Sequence, residues 1–321
     1  MLTRRAALAA LPSLLVAAKA GAQSFPARPI TIVVPYPAGG PVDLLARTIA
    51  RDAGPALGQT IAVENRGGGA GVIGTSAVAH AAPDGYTLSL GTNQTHATNQ
   101  NLIKDSPDGV RDFTPVAGLA VIPHVLVVRK DLPAQNVAEL IALSKTKPDG
   151  LNVGSSGRGS ASHLAAELFA KVTGMKMTHL PFAGVAPVIN GMLGGFVDAS
   201  FATLSSVLGQ IEGGQLRALA LASAARAPAL PHVATLREQG IQGVEADAWF
   251  ALFAPAKTPA PVIERLYEAV AAAAKADAFK TALAAQGFIV ALRPPAEVAA
   301  WLPGEVEKWA RVIRDAGIVL Q

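Results

Sequence analysis

The sequence predicts an α/β fold of two sub-sheets joined by two crossing strands, and three observations predict it. Short runs rich in Val and Ile alternate with Ala/Leu-rich helical patterns, as in successive βαβ units. A second set of such units, with its own strands, begins near residue 151. The chain has 321 residues, 50% hydrophobic and 16% charged, which is enough for one large domain or two of medium size.

The elements follow in order. Ile30 to Val34 reads as a strand, Pro35 to Gly40 as a turn, and Pro41 to Leu57 as a helix with Leu44, Leu45, Ile49 and Leu57 inward. Thr60 to Glu64 is a second strand, followed by a glycine-rich loop and a helix over Thr75 to Ala82. The Pro83-Asp84-Gly85 turn leads into a strand over Tyr86 to Gly91. His124 to Asp131 is a further strand, and the helix after it ends before Pro148.

In the second set, Leu151 to Ser155 runs into a glycine-serine turn and a helix, and Thr178 to Phe182 into another helix. Val197 to Thr203 and Arg217 to Ala222 complete its strands. The chain returns through a strand near Ala248 to Pro255 and a long alanine-rich helix. The crossings are expected at His124 to Asp131 and Ala248 to Pro255. They would divide the chain into residues 23–123 plus 250–321 and residues 124–249.

Residues 1–22 have the order of an export signal: Arg4 and Arg5, an apolar run from Ala6 to Ala18 broken by Pro12 and Ser13, then Ala20-Gly21-Ala22. Thr3-Arg4-Arg5 also resembles a twin-arginine signal, so either that route or the general secretory route would deliver the mature chain to the periplasm. Losing Arg4, Arg5 and Lys19 takes the charge from +4, with 27 basic and 23 acidic residues, to 24 minus 23, or +1. No basic run or basic-aromatic interleaving supports a nucleic-acid surface. Nor is there an apolar stretch long enough for membrane insertion of the mature chain. Zero cysteines exclude disulfides, thiolate metal sites and a cysteine nucleophile.

In open sheets, ligands sit beyond the carboxyl ends of parallel strands, where helix N-termini present free N–H groups. Four strand ends here carry similar chemistry: Ala38-Gly39-Gly40, Gly91 to Thr95, Ser155 to Ser160, and Phe182-Ala183-Gly184. Asp43 falls in a first helical turn, where a carboxylate caps the helix or touches a ligand. If these segments converge, they offer backbone N–H groups, hydroxyls and amides with few charges, which suits a small carboxylate and requires no cofactor. Gly40 would let the backbone approach it closely.

Rival chemistries lack partners. Gly69 to Gly74 spells G-x-G-x-x-G, but it is not tight against its strand and the next strand ends without an acid to hold a ribose. The Gly154 to His163 segment contains no G-x-S-x-G elbow, and His163 more naturally packs or caps than activates a serine. His163 and Glu167 could share a helix face, yet a metal needs further ligands. An exported enzyme, cofactor-bound or hydrolytic, is the alternative reading of the same cleft.

Several segments together resemble the exported substrate-binding proteins of tripartite tricarboxylate transporters, the Bug or TctC-like family. They are "FPARPITIVVPYPAGGPVDLLAR", "VENRGGGAGVIGTSAVAHAAPDGYTLSLGT", "DFTPVAGLA", "GSSGRGSASHLAAELF", "LPFAGVAPVINGMLGGFVD" and "WFALFAPAKTPAPVIERL". They stand in the family's order and span nearly all of the chain after residue 22. The resemblance implies a two-domain, type II-like periplasmic-binding-protein fold that closes on a small organic acid. The receptor would be a monomer that meets membrane permease subunits or a sensor protein. It also implies a site of Tyr36, Ala38, Gly39, Gly40 and Asp43, with Thr92 and Asn93. From the other half it implies Ser155, Ser156, Gly159, Ser160 and His163, with Phe182, Ala183, Gly184 and Asp198 beside them.

Overall fold

The computed structural model of the chain describes residues 25–319; the expected export signal lies outside the described residues. Two sheets carry the fold. The first contains β1 (Ile30–Val34), β2 (Ile61–Asn65), β3 (Thr87–Thr92), β4 (Phe113–Ile122), β10 (Ala248–Pro255) and β11 (Ile289–Arg293). Its order is β11-β4-β10-β3-β1-β2. β1 is parallel to β2 and β3, whereas β10 lies antiparallel between β3 and β4.

The second sheet contains β5 (His124–Arg129), β6 (Leu151–Ser155), β7 (Met177–Pro181), β8 (Ala199–Thr203) and β9 (Leu216–Leu221), in the order β7-β6-β8-β5-β9. β6 is parallel to β7 and β8, and β5 is antiparallel to β8 and β9. Two mixed α/β sheets are the predicted class.

Both faces of β1 are covered, which is why ITIVV reads as a nearly continuous apolar run. Ile30, Ile32 and Val34 pack with Leu45 and Ile49 of α1 (Pro41–Leu57), while Val33 joins the core on the opposite face. Pro41 opens α1, where a missing N–H costs nothing, and Gly58 ends it in a left-handed turn. The bounds of β1, α1 and β6 are those read from the sequence.

The crossings differ from expectation. β5 lies wholly in the second sheet and β10 wholly in the first. The chain changes sheets at Pro123, between β4 and β5, and again between β9 and β10. Proline cannot donate to a ladder, so it marks the break. Backbone bonds from Ala222 N–H to the His124 carbonyl and from Ala246 N–H to the Ala222 carbonyl, each 2.8 Å, hold the two connections side by side.

β4 was not expected as a strand. Pro115 and Gly118 disguise it, yet it runs for ten residues between β10 and β11, with register shifts in its β10 pairing that absorb the irregularity. The G-x-G-x-x-G segment is a packing device. A Cβ on Gly74 would lie 2.7 Å from the Arg66 carbonyl oxygen and 2.8 Å from Pro35 Cα. Its helix, α2 (Val72–Ala79), begins three residues earlier than predicted.

Candidate functional site

Between the two sheets, at the carboxyl ends of β1, β3, β6 and β8, lies a cleft of about 230 Å³. Tyr36, Thr92, Asn93 and Gln94 line it from the first sheet. Ser156, Ser160 and Ser162 line it from the second, and His124, Thr203, Ala248 and Phe250 where the sheets meet. None of the described residues lining it is Lys, Arg, Asp or Glu.

The first wall is a chain of neutral groups. The Tyr36 hydroxyl lies 2.9 Å from Thr92 Oγ1 and donates to Gln94 Oε1 at 3.1 Å. Burial pushes Tyr36 up to about 12, so it stays a phenol at neutral pH. Thr92 N–H donates to Thr95 Oγ1 at 3.0 Å, which turns β3 into the short helix Gln94–Thr98 and presents Asn93 and Gln94 to the cleft.

Behind this wall the turn into α1 is held by a carboxylate. Gly39 sits at φ +87°, a conformation glycine adopts without strain, and donates its N–H to Asp43 Oδ2 at 2.9 Å. Arg47 Nε donates to the same oxygen at 3.0 Å. Arg47, foremost, and the Gly39 N–H hold the Asp43 carboxyl below its ordinary range, against the opposing effect of burial. Asp43 therefore braces Gly39 and does not line the cleft. Gly40 is extended at φ −84°, and an added Cβ would meet only the Pro37 carbonyl oxygen, at 3.9 Å.

The second wall is built from hydroxyls and imidazoles. Ser160 caps α4 (Ala161–Thr173), with its Oγ accepting from His163 N–H at 3.3 Å. Ser162 Oγ accepts from Ser156 N–H at 2.9 Å and lies 3.1 and 3.0 Å from the Ser156 and Ser160 hydroxyls. Gly159 N–H donates to His163 Nδ1 at 3.0 Å, so the His163 ring proton is on Nε2, 3.3 Å from Glu167 Oε1. His163 stacks on His179 at 3.6 Å, and His179 Nε2 is 2.6 Å from Ser155 Oγ. Burial and, second, the neighbouring His163 push His179 down to about 4. Ser155 is fully buried, so this serine-imidazole contact braces β6.

Of the residues expected at the site, Tyr36, Thr92, Asn93, Ser156 and Ser160 line the cleft. Ala38, Gly39 and Gly40 form the turn beside it, and Asp43, Ser155, Gly159 and His163 lie behind its walls. Phe182 is fastened to Ser155 through its backbone N–H, and Ala183 and Gly184 lead into α5 (Val185–Leu193), whose first residue lines the cleft.

Asp198 does not join them. It stands at the opposite end of β8, bonded to Arg129 Nε at 3.0 Å, Lys147 Nζ at 3.2 Å and Asn152 N–H at 3.0 Å. A buried carboxylate with these partners locks the sheet end together.

Many loop N–H groups expected to face a ligand are spent inside the loops: Gly39 on Asp43, Ser156 on Ser162, Gly157 on Ser155 and Gly159 on His163. The first-turn N–H groups of α1 and α4 keep no intrahelical acceptor. His124, Gln94 and Ser162 are cleft residues that sequence reasoning did not single out. Ser162 lies in a quoted segment, Gln94 in the Gly91 to Thr95 strand end and His124 at the start of a predicted strand, but only the fold shows that they meet.

The arrangement provides neutral donors, two helix N-termini and a phenol in one cleft, which favours an anion without a counter-charge. Among the described residues no group of three His, Asp or Glu could hold a metal ion, and no helix is long and apolar enough to cross a membrane.

Comparison with known proteins agrees with this geometry. The tripartite tricarboxylate transporter family receptor profile matches residues 45–318. Protein BugT of Bordetella pertussis is 37% identical over 308 residues, covering 95% of this chain and 94% of its own length. The structure of a TctC solute-binding protein from Polaromonas superposes with a TM-score of 0.82 at 31% identity, covering 91% of this chain and all of that one. An R. palustris protein solved with adipate superposes with a TM-score of 0.76 at 36% identity, covering 92% of this chain and 99% of that one. The fold is thus the periplasmic-binding-protein type II fold, and the chain belongs to the tripartite tricarboxylate transporter receptors, the TctC/Bug family of substrate-binding proteins.

Proposed function

We propose that the protein captures a small organic acid in the inter-sheet cleft and delivers it to the membrane permease subunits of a tripartite transporter or to a sensor protein. Its two halves, residues 23–123 plus 250–321 and residues 124–249, close over the ligand about the paired connections at Pro123 and Ala222–Ala246. The chain acts as a monomer in the periplasm once residues 1–22 are removed.

The observation that carries this reading is the cleft lining. It holds hydroxyls, an amide pair and two helix N-termini, and none of the described lining residues carries a formal charge. Several neutral hydrogen bonds of about 0.5–1.5 kcal/mol each, somewhat more to a charged acceptor, support micromolar binding of a carboxylate. The adipate held by the R. palustris relative points to the same ligand class.

Native mass spectrometry of freshly purified protein, followed by thermal shifts against carboxylic acids, tests the proposal. A co-purified nucleotide, or no stabilisation by any acid, overturns it. The Gly40→Val variant sharpens the test: a Cβ at this position meets only the Pro37 carbonyl oxygen, at 3.9 Å, and a thermal melt of the unliganded variant checks that folding is retained. Stabilisation by acid is expected to disappear, and retained affinity would make the turn purely structural.

A further inference from the structure

The hydrogen bonds of the first wall all point one way. Thr95 N–H donates to Thr92 Oγ1 at 3.3 Å, and Thr92 Oγ1 lies 2.9 Å from the Tyr36 hydroxyl. Tyr36 spends its own proton on Gln94 Oε1 at 3.1 Å, so its oxygen accepts the proton of Thr92. The phenol keeps that proton at neutral pH, because burial pushes it up to about 12.

This chain ends on the oxygen of an amide, which decides what the amide shows to the cleft. With Oε1 held, Gln94 is left with Nε2 and its two N–H groups. Nε2 has no hydrogen-bond partner among the described residues, and it is not one of the four buried side-chain atoms without one, so it keeps accessible surface. Gln94 is half-buried and lines the cleft. Its backbone is anchored as well, since Thr98 Oγ1 donates to its carbonyl at 3.1 Å. Such a donor matters here because the N–H groups of Gly39, Ser156, Gly157 and Gly159 are bonded inside their own loops.

We infer that the Gln94 side-chain amide donates to the ligand carboxylate, and that Tyr36 is the positioning residue that fixes the amide in this sense. This rests on the organic-acid reading proposed above. A neutral donor facing an ionised acceptor makes a stronger bond than two neutral groups do. Glutamate at position 94 would keep the oxygen that Tyr36 holds and turn the group facing the ligand from a donor into an anion.

Adipate, malate, succinate and benzoate serve as probes in calorimetric titrations, with melts of the unliganded variants to check folding. Gln94→Leu is expected to weaken every probe that binds wild-type protein by about tenfold or more. Gln94→Glu separates a ligand contact from a structural role and covers misfolding of the leucine variant. It supports Tyr36 as glutamine does, so a structural role predicts wild-type affinity, whereas a lost donor and a repelling carboxylate predict a larger loss than in Gln94→Leu. Tyr36→Phe should weaken binding by about three- to tenfold, and adding it to Gln94→Leu should cost nothing further, because it acts through the amide.

Affinity within about twofold of wild type in folded Gln94→Leu or Gln94→Glu overturns the inference and leaves the organic-acid receptor standing. Additive losses in the double variant would make Tyr36 a direct contact and overturn its positioning role. Failure of all four probes to bind wild-type protein would overturn both readings together.

Discussion

The two loops that face each other across the cleft do the same job with different chemistry. The turn between β1 and α1 is fixed by one buried carboxylate, Asp43, which gathers Gly39 and Arg47 on a single oxygen. The loop between β6 and α4 is fixed by a network of hydroxyls and imidazoles around Ser162 and His163. The first concentrates its stability in one charge-assisted centre; the second spreads it over several neutral bonds. Both bring the first turn of a helix to the cleft, through Val42 of α1 and through Ala161 and Ser162 of α4.

The sharpest way to break this comparison is Asp43→Ala. It removes two hydrogen bonds to an ionised acceptor, one of them from the Gly39 N–H in the turn, and should cost about 2–3 kcal/mol. Urea denaturation of the unliganded protein measures it. A loss below about 0.5 kcal/mol would place Asp43 among ordinary surface ion pairs and dissolve the contrast.

On the other side, Ser162→Ala should cost only about 0.5–1.5 kcal/mol. Ser156 N–H loses its acceptor, but the Ser156 and Ser160 hydroxyls stand close enough to rearrange around the gap. A cost equal to that of Asp43→Ala would mean that the second loop is centred on one residue as well.

How much of this was legible beforehand follows the range of the interactions. β1, α1 and the hydroxyl-rich turn after β6 depend on local periodicity and capping, so Pro41, Gly58 and Ser160 announce them. The Asp43 brace spans four residues and could be placed in its helical turn, though not given its partner. His179 is another matter: it comes from the strand after the α4 helix, and only the parallel pairing of β6 with β7 brings it to Ser155 and His163. His124 reads as one more strand residue until the two connections are seen to meet at it. Asp198 was misplaced because a strand has two ends, and sequence spacing does not say which one faces the cleft.

The smallest effect separates the two loops by pH. Asp43 is held below its ordinary 3.8, so its stabilisation is complete above that value and is lost only as pH falls through the lower folded one. His179 is pushed down from 6.5 to about 4. Between those two values the unfolded chain binds the proton more readily than the folded one, so stability falls as pH drops through that window. His163, Ser155, Glu167 and Arg158 surround the ring, and a positive charge on His179 would sit in a half-buried stack 3.6 Å from the His163 ring. His96 and His124, pushed to about 3 and about 4, slope the same way, so the wild-type curve sums all three. Denaturation of wild type and His179→Gln across pH 4 to 7 isolates the second loop. The variant should show a shallower loss on acidification, modest because His179 is only half-buried. Parallel curves would mean that the stacked imidazoles are not the acid-sensitive element of the cleft, and the second loop would then be as acid-resistant as the first.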